Sequence, residues 1–247
     1  MIYDLIIKQV LAGKKLFALL LDPDEYKNRS QRHILIEAAK SETDLIFVGG
    51  SLVTTPITPF IQKIKKSSEI PVLLFPGNLL QISNNADGIL FLSLISGRNP
   101  DLLIGNHVAS APMIKNSGME VIPTGYILVE NGKSTSVEYI SNTKPVPADK
   151  PDIASATAIA GEMLGLKLIY LEAGSGAQHP VKTEMITQVK KNIEVPLVVG
   201  GGIRNPEDAK NILNAGADII VIGNAIEKDT TFLKKISDIT KEYPNYT

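Results

Sequence analysis

The chain has no cysteine among its 247 residues, which excludes a disulfide framework and thiol chemistry and fits a cytoplasmic protein. It also lacks a charge excess, since 25 Lys and Arg face 26 Asp and Glu for a net charge of -1. Nucleic-acid binding needs a basic footprint, and no such partner is expected. Long hydrophobic runs are missing as well. The longest, residues 16–21, is far short of the ~20 residues that a bilayer-spanning helix requires. Ile2, Leu5, Ile6 and Val10 keep helical spacing but are interrupted by Asp4 and Lys8, so the N-terminal segment reads as a short packing helix and not as a signal peptide. A basic amphipathic helix and a lipidation motif are absent too. No repeat, low-complexity tract or linker divides the sequence, and residues 1–247 are expected to form a single domain.

What is present is a rhythm of apolar runs with turn chemistry at their ends. Hydrophobic residues make up 44% of the chain, enough for a sizeable core. Strands are expected at 16–21, 44–48, 71–75, 88–92, 120–124, 167–171, 196–199 and 218–222. Amphipathic helices are expected at 31–40, 59–66, 153–164, 183–191, 206–215 and 231–241. Strands that alternate with helices argue for a parallel sheet buried on both faces, and eight of them close a (β/α)8 barrel of about this length. Two intervals break the rhythm. Between Pro76 and Ala86 there is hardly room for a helical crossover, which takes a dozen or more residues, so an irregular or extended connection should replace the third barrel helix. From Tyr126 to Lys150 the chain carries a long polar insertion, the kind of loop that shapes a site.

The glycines show where a ligand would sit. Gly200-Gly-Gly-Ile-Arg-Asn-Pro-Glu-Asp208 and Ile222-Gly-Asn-Ala225 each end an apolar run, and glycine lets backbone N–H groups approach a ligand closely. Asn205, Pro206 and Asp208 fit the cap, first position and capping partner of a helix. In a barrel, the loops after strands 7 and 8 form an anion cradle.

Other strand ends carry chemistry. Leu21-Asp-Pro-Asp-Glu25 and Val48-Gly-Gly-Ser-Leu52 would be neighbours, offering the Asp22 carboxylate and the Ser51 hydroxyl to a small divalent cation. Taken alone, Asp22 reads as a turn cap before Pro23 and Ser51 as a cap of the next segment; their place on adjacent strand ends favours the cation. Asp24 is a supporting acid or a solvated turn residue. In Tyr170-Leu-Glu-Ala-Gly-Ser-Gly176, alternation sends Tyr170 and Glu172 to one side and Leu171 to the other. Glu172 could bind a polyol hydroxyl or act as a general base. His179 lies just past this loop, and His33 and His107 show no pairing; none is assigned a role.

Leu21-Asp-Pro-Asp24, Phe47-Val-Gly-Gly-Ser51, Tyr170-Leu-Glu-Ala-Gly-Ser-Gly176, Gly200-Gly-Gly-Ile203 and Ile222-Gly-Asn-Ala225 stand in the order and approximate spacing of the geranylgeranylglyceryl phosphate synthase family, which the chain resembles over nearly its whole length. Phe75-Pro-Gly-Asn78 and Tyr126-Ile-Leu-Val-Glu-Asn131 look like family segments too. The resemblance implies a modified TIM (β/α)8 barrel without a full third helix. It also implies a Mg2+-dependent prenyltransferase that joins the C3 hydroxyl of sn-glycerol 1-phosphate to a polyprenyl diphosphate, geranylgeranyl diphosphate being favoured over a heptaprenyl donor. Asp22 and Ser51 would hold Mg2+, with Asp22 and Glu172 catalytic. Tyr170, Leu171, Glu172, Ala173, Gly174, Ser175 and Gly176 would form the glycerol phosphate segment, with Gly201, Gly202, Gly223 and Asn224 around the phosphate.

Heptaprenylglyceryl phosphate synthases carry a lysine two residues before the metal aspartate, and here that position is Leu20. Arg98, Lys133 or Lys144 would then supply the missing cation. Phe75, Leu79 and Leu80 are candidates for the prenyl trough, or for ordinary core packing. The family resemblance also implies a homo-oligomer, dimer or hexamer, and the lipidic product suggests transient contact with a membrane surface. No Asp-Asp-x-x-Asp motif supports an all-helical isoprenoid synthase. Two other readings share the cradle: a phosphosugar isomerase, epimerase or lyase, for which no strand-end lysine is well placed, and a non-catalytic phosphate-binding protein, which intact Asp22, Ser51 and Glu172 oppose.

Overall fold

The computed structural model describes residues 1–26 and 28–243, with side chains throughout except at 28–32, 227 and 228. Eight parallel strands close a barrel in chain order: β1 (Leu16–Leu21), β2 (Leu45–Val48), β3 (Val72–Leu74), β4 (Gly88–Leu94), β5 (Glu120–Leu128), β6 (Leu168–Glu172), β7 (Leu197–Gly200) and β8 (Ile219–Ile222). β8 pairs back onto β1 through Leu16↔Ile219 to Leu19↔Ile222. The helices are α1 (Ile2–Leu11), α2 (Asn28–Lys40), α3 (Ile57–Ser67), α4 (Asn106–Ser117), α5 (Ser136–Ser141), α6 (Pro151–Met163), α7 (Thr183–Lys191), α8 (Pro206–Asn214), α9 (Asn224–Lys228) and α10 (Thr231–Lys241).

Period-two alternation splits the core in two. Ala18, Leu45, Phe47, Leu73, Leu90, Ile122, Tyr170 and Val198 fill the barrel. Their neighbours Phe17, Leu19, Ile46, Val72, Ile89, Leu171 and Val199 point outward, under the helices. Both faces are apolar because both are covered. Helix α1 closes the bottom: Ile6 packs into the barrel interior, and the Glu120 carboxylate at the start of β5 accepts hydrogen bonds from the N–H groups of Ile2 and Tyr3, satisfying orphan donors at that helix N-terminus.

The helix expected to be missing is missing. After β3 the chain makes only a single 3-10 turn, Leu79–Gln81, whose first residues are held by the Asn78 carboxamide accepting from Leu80 N at 2.9 Å. Elsewhere the structure adds what periodicity did not show. Helix α4, preceded by a wide π-helical turn at Asp101–Gly105, lies where no helix was expected. Its residues are mostly small or polar and Pro112 sits inside it, so it carries no apolar stripe to read. β5 runs on to Leu128 because both partners extend alongside it, through Leu94↔Tyr126 and Leu128↔Glu172. The polar insertion then contributes the Val129↔Val146 bridge and the short α5.

Candidate active site

All eight strands point their carboxyl ends the same way, so their loops share one mouth. There lies a cavity of about 610 Å³ lined by Asp22, Ser51, Tyr170, Glu172, Gly174, Ser175, Gly176, Gly201, Gly202, Gly223 and Asn224. Two residues of the expected set are not in it. Leu171 and Ala173 pack in the outer layer between barrel and helices, because alternation along β6 turns every second side chain away from the interior.

The glycine end of the cavity is built for backbone approach. Gly201 and Gly202 have consecutive left-handed φ angles of 80° and 72°, which bend the chain straight after β7. A Cβ on Gly201 would lie 2.4 Å from Glu172 Oε1, and one on Gly202 would lie 2.5 Å from the His179 carbonyl oxygen. No larger residue fits at either position without moving backbone or the carboxylate. Opposite, the Asn224 carboxamide donates to Ser175 Oγ at 3.4 Å. Arg204 donates from Nη2 to the Ala177 carbonyl at 2.5 Å, tying the loop after β7 to the loop after β6. Helix α8 then begins with the expected cap: Asn205 Oδ1 accepts from Asp208 N at 2.8 Å, and its amide donates to the Asp208 carboxylate at 2.9 Å.

Glu172 is buried at 5% exposure. Its Oε1 accepts from Gly174 N at 2.6 Å. Burial raises its pKa to about 7, against the opposing pull of the adjacent Tyr170 hydroxyl and the Gly174 N–H. A carboxyl group poised there exchanges a proton near neutral pH, which suits a general base. The buried Tyr170 hydroxyl and Glu172 Oε2 converge over Gly200, so the phenol and the carboxylate face the cavity side by side.

The opposite end is acidic. Asp22 Oδ1 accepts from Asp24 N at 3.0 Å, and its Oδ2 overhangs Gly50, next to Ser51. Burial raises the Asp22 carboxyl above its usual range, with Asp24 and Glu25 adding to the rise and the Asp24 N–H opposing it. No cationic side chain pairs with Asp22 among the described residues. A half-buried carboxylate beside two acids, lining the same cavity as the Ser51 side chain, fits a divalent cation. The described residues hold no cluster of three or more His, Cys, Asp or Glu that could enclose one. Magnesium suits such a sparse donor set, because it keeps waters and takes substrate phosphate oxygens.

Two side chains fix this end. Asp24 is held down at about 2 by hydrogen bonds from Thr55 and Thr54; it accepts from Thr55 N at 2.7 Å, Thr54 N at 2.8 Å and Thr54 Oγ1 at 3.0 Å. It therefore staples the loop after β1 to the loop after β2. Gln81, 1% exposed, accepts from Gly50 N at 3.2 Å and Gly77 N at 3.1 Å and donates to the Gly50 carbonyl at 2.7 Å.

A second, mostly apolar cavity of about 360 Å³ opens beside the first and shares Gly50, Ser51, Phe75, Tyr126 and Val137 with it. Its walls come from the short third connection, β4 and α4, with Leu79, Ile82, Ile89, Leu92 and Leu102. Phe75 stands at the junction, stacked on Tyr170 with ring centroids 5.4 Å apart. Leu79 lines this cavity, whereas Leu80 does not and is 88% exposed. His107 is part of the wall, 3.1 Å from Ser93 Oγ and edge-on to Phe91, and burial lowers its pKa.

The profile of the PcrB family matches residues 8–242. The chain belongs to the PcrB family. It is 51% identical to the geranylgeranylglyceryl phosphate synthase of Spirosoma linguale over 94% of each chain, and 50% identical to that of Chitinophaga pinensis over 96% of this chain and 94% of the relative. The crystal structure of the geranylgeranylglyceryl phosphate synthase of Thermoplasma acidophilum, in complex with its substrate sn-glycerol 1-phosphate, superposes with a TM-score of 0.92 at 31% identity, covering 97% of this chain and 98% of that one.

In this PcrB-family chain the cation expected from the loops is elsewhere. Arg98 and Lys144 line a separate surface depression, and Lys133 lines another with Lys144. Arg98 is committed to the carbonyls of Ile95 and Gly97. Arg204 is the one basic residue of the polar cavity among the described residues. It sits within the glycine motif itself. Gln81 could not be found from sequence, since its partners are backbone groups of two other loops.

Proposed function

We propose that the paired cavities are the active site of a Mg2+-dependent geranylgeranylglyceryl phosphate synthase, forming an ether bond between the C3 hydroxyl of sn-glycerol 1-phosphate and geranylgeranyl diphosphate. The observation that carries this reading is the junction at Ser51 and Phe75, where a polar cavity with a glycine cradle meets an apolar one. Backbone N–H groups at Gly201 and Gly202 would receive the acceptor's phosphate, with Tyr170 and Glu172 facing its hydroxyls. Holding the acceptor there turns a bimolecular encounter into a positioned one. The prenyl chain would lie in the apolar cavity, bringing its first carbon to Phe75.

The C3 oxygen attacks that carbon as the carbon–oxygen bond to diphosphate breaks. The bonding pair leaves with diphosphate, and the hydroxyl proton passes to Glu172. Magnesium held by Asp22 and Ser51 would neutralise charge building on the leaving group. A Schiff-base lyase has no nucleophile here, as no lysine lines the polar cavity among the described residues. No described helix is long and apolar enough to cross a membrane, and the reading places the enzyme in the cytoplasm as a homo-oligomer.

Diphosphate release tests the reading. It should require sn-glycerol 1-phosphate, geranylgeranyl diphosphate and Mg2+ together. Release without the acceptor, or none with any prenyl length, would refute it.

A further inference from the structure

The charge around the polar cavity is lopsided. Asp22, Glu25, Glu172 and Asp229 are acidic, and Arg204 alone is basic among the described residues. A cavity with that lining repels phosphorylated molecules unless fixed positive charge is placed where each phosphate lands. At the Asp22 end a cation can do this. At the glycine end Glu172 Oε1 is already bonded to Gly174 N, and the basic side chain there is Arg204, on the cradle loop itself. Leu20, beside Gly223 on the far wall, is apolar.

Arg204 follows the glycine pair by two residues on the same loop, and its guanidinium ion-pairs with no carboxylate among the described residues. Only Nη2 is engaged, with the Ala177 carbonyl. A guanidinium carries five N–H donors in a rigid fork, so that bond orients the group and leaves donors for an oxyanion. The same bond, together with the close seat of Gly202 on His179, joins the loop bearing the cradle to the loop after β6, which bears Ser175.

We propose that Arg204 is a specificity-determining residue for the acceptor: its guanidinium meets the phosphate of sn-glycerol 1-phosphate while clasping the two loops that surround it. This rests on the reading of the cavity given above. The backbone amides select an oxyanion by shape, and Arg204 selects it by charge. Prenyl donor binding, at the Asp22 end, is independent of it.

The test compares wild type, Arg204→Gln and Arg204→Lys in the full-length enzyme, measuring KM for each substrate and kcat at low and high salt. Arg204→Gln should raise the KM for glycerol phosphate about ten-fold, the worth of one charge-assisted hydrogen bond, with the donor KM and kcat little changed. Arg204→Lys should recover part of the loss, because it restores charge without the fork. Added salt should weaken acceptor binding in wild type more than in Arg204→Gln. An acceptor KM within two-fold of wild type overturns the proposal. So do equal losses in both variants with unchanged salt dependence, which would mark Arg204 as a loop clasp alone. If wild type transfers no prenyl group, the functional reading fails separately. Thermal protection by sn-glycerol 1-phosphate then decides: the proposal stands if wild type is protected and Arg204→Gln is not, and falls if both or neither are.

Discussion

Replacing Glu172 with Gln should make the protein more stable and nearly inactive. The carboxyl is buried and its pKa is raised from 4.5 to about 7, so the folded state holds a proton more tightly than the unfolded chain. That proton-linked stability is complete below pH 4.5 and is lost as pH rises through about 7, where the folded state must carry a buried charge. By pH 8 the loss amounts to about 3 kcal/mol. The substituted carboxamide keeps an oxygen to accept from Gly174 N and has no charge to bury. The variant should therefore gain on the order of 3 kcal/mol at pH 8, or roughly 6 °C in Tm for a chain of this size, and little at pH 4.5. Differential scanning calorimetry from pH 4.5 to 8.5 reads this directly. Turnover should fall by about 10²- to 10⁴-fold, the usual worth of a general base, and wild-type kcat/KM should decline about ten-fold per pH unit below 7. Parallel Tm profiles for the two proteins, or near-normal turnover by Glu172→Gln, would refute the reasoning.

Gln81→Leu leaves Gly50 N, Gly77 N and the Gly50 carbonyl without their present partner; urea denaturation should show a loss of roughly 2–4 kcal/mol. Gly202→Ala combines a left-handed φ with a Cβ 2.5 Å from the His179 carbonyl oxygen, so it should cost about 2 kcal/mol or more. Acceptor KM should rise in that variant, as initial-rate kinetics would show. Asp22→Asn should abolish Mg2+ binding measured by calorimetry with the metal alone, leaving thermal protection by sn-glycerol 1-phosphate intact.

Much of this was legible because local chemistry and global fold agree. Eight apolar runs with polar ends give the barrel. The scarcity of residues after Leu74 gives the missing helix, and the alternation Tyr170, Leu171, Glu172 gives the inward pair. The same alternation turns the side chains of Leu171 and Ala173 into the outer layer, so within the glycerol phosphate segment these two face the cavity with backbone at most. Helix α4 was illegible because a helix that faces a cavity needs no apolar stripe. Gln81 is illegible as a support because it bonds to the backbone of loops distant in sequence, and the sequence leaves Asp24 between a supporting acid and a turn residue. Arg204 stands beside glycines whose backbone carries the stronger signal, and the charge of Arg98, Lys133 and Lys144 does not tell where their loops turn.

The central claim is that one cavity positions the acceptor's hydroxyl over the donor's first carbon. Radiolabelled sn-glycerol 1-phosphate incubated with the purified protein, Mg2+ and geranylgeranyl diphosphate tests it most directly. The label should pass into the organic phase as an ether stable to mild base, with the sn-glycerol 3-phosphate enantiomer transferring little. Label that stays in the aqueous phase with every prenyl length, or that passes equally from both enantiomers, would contradict the account.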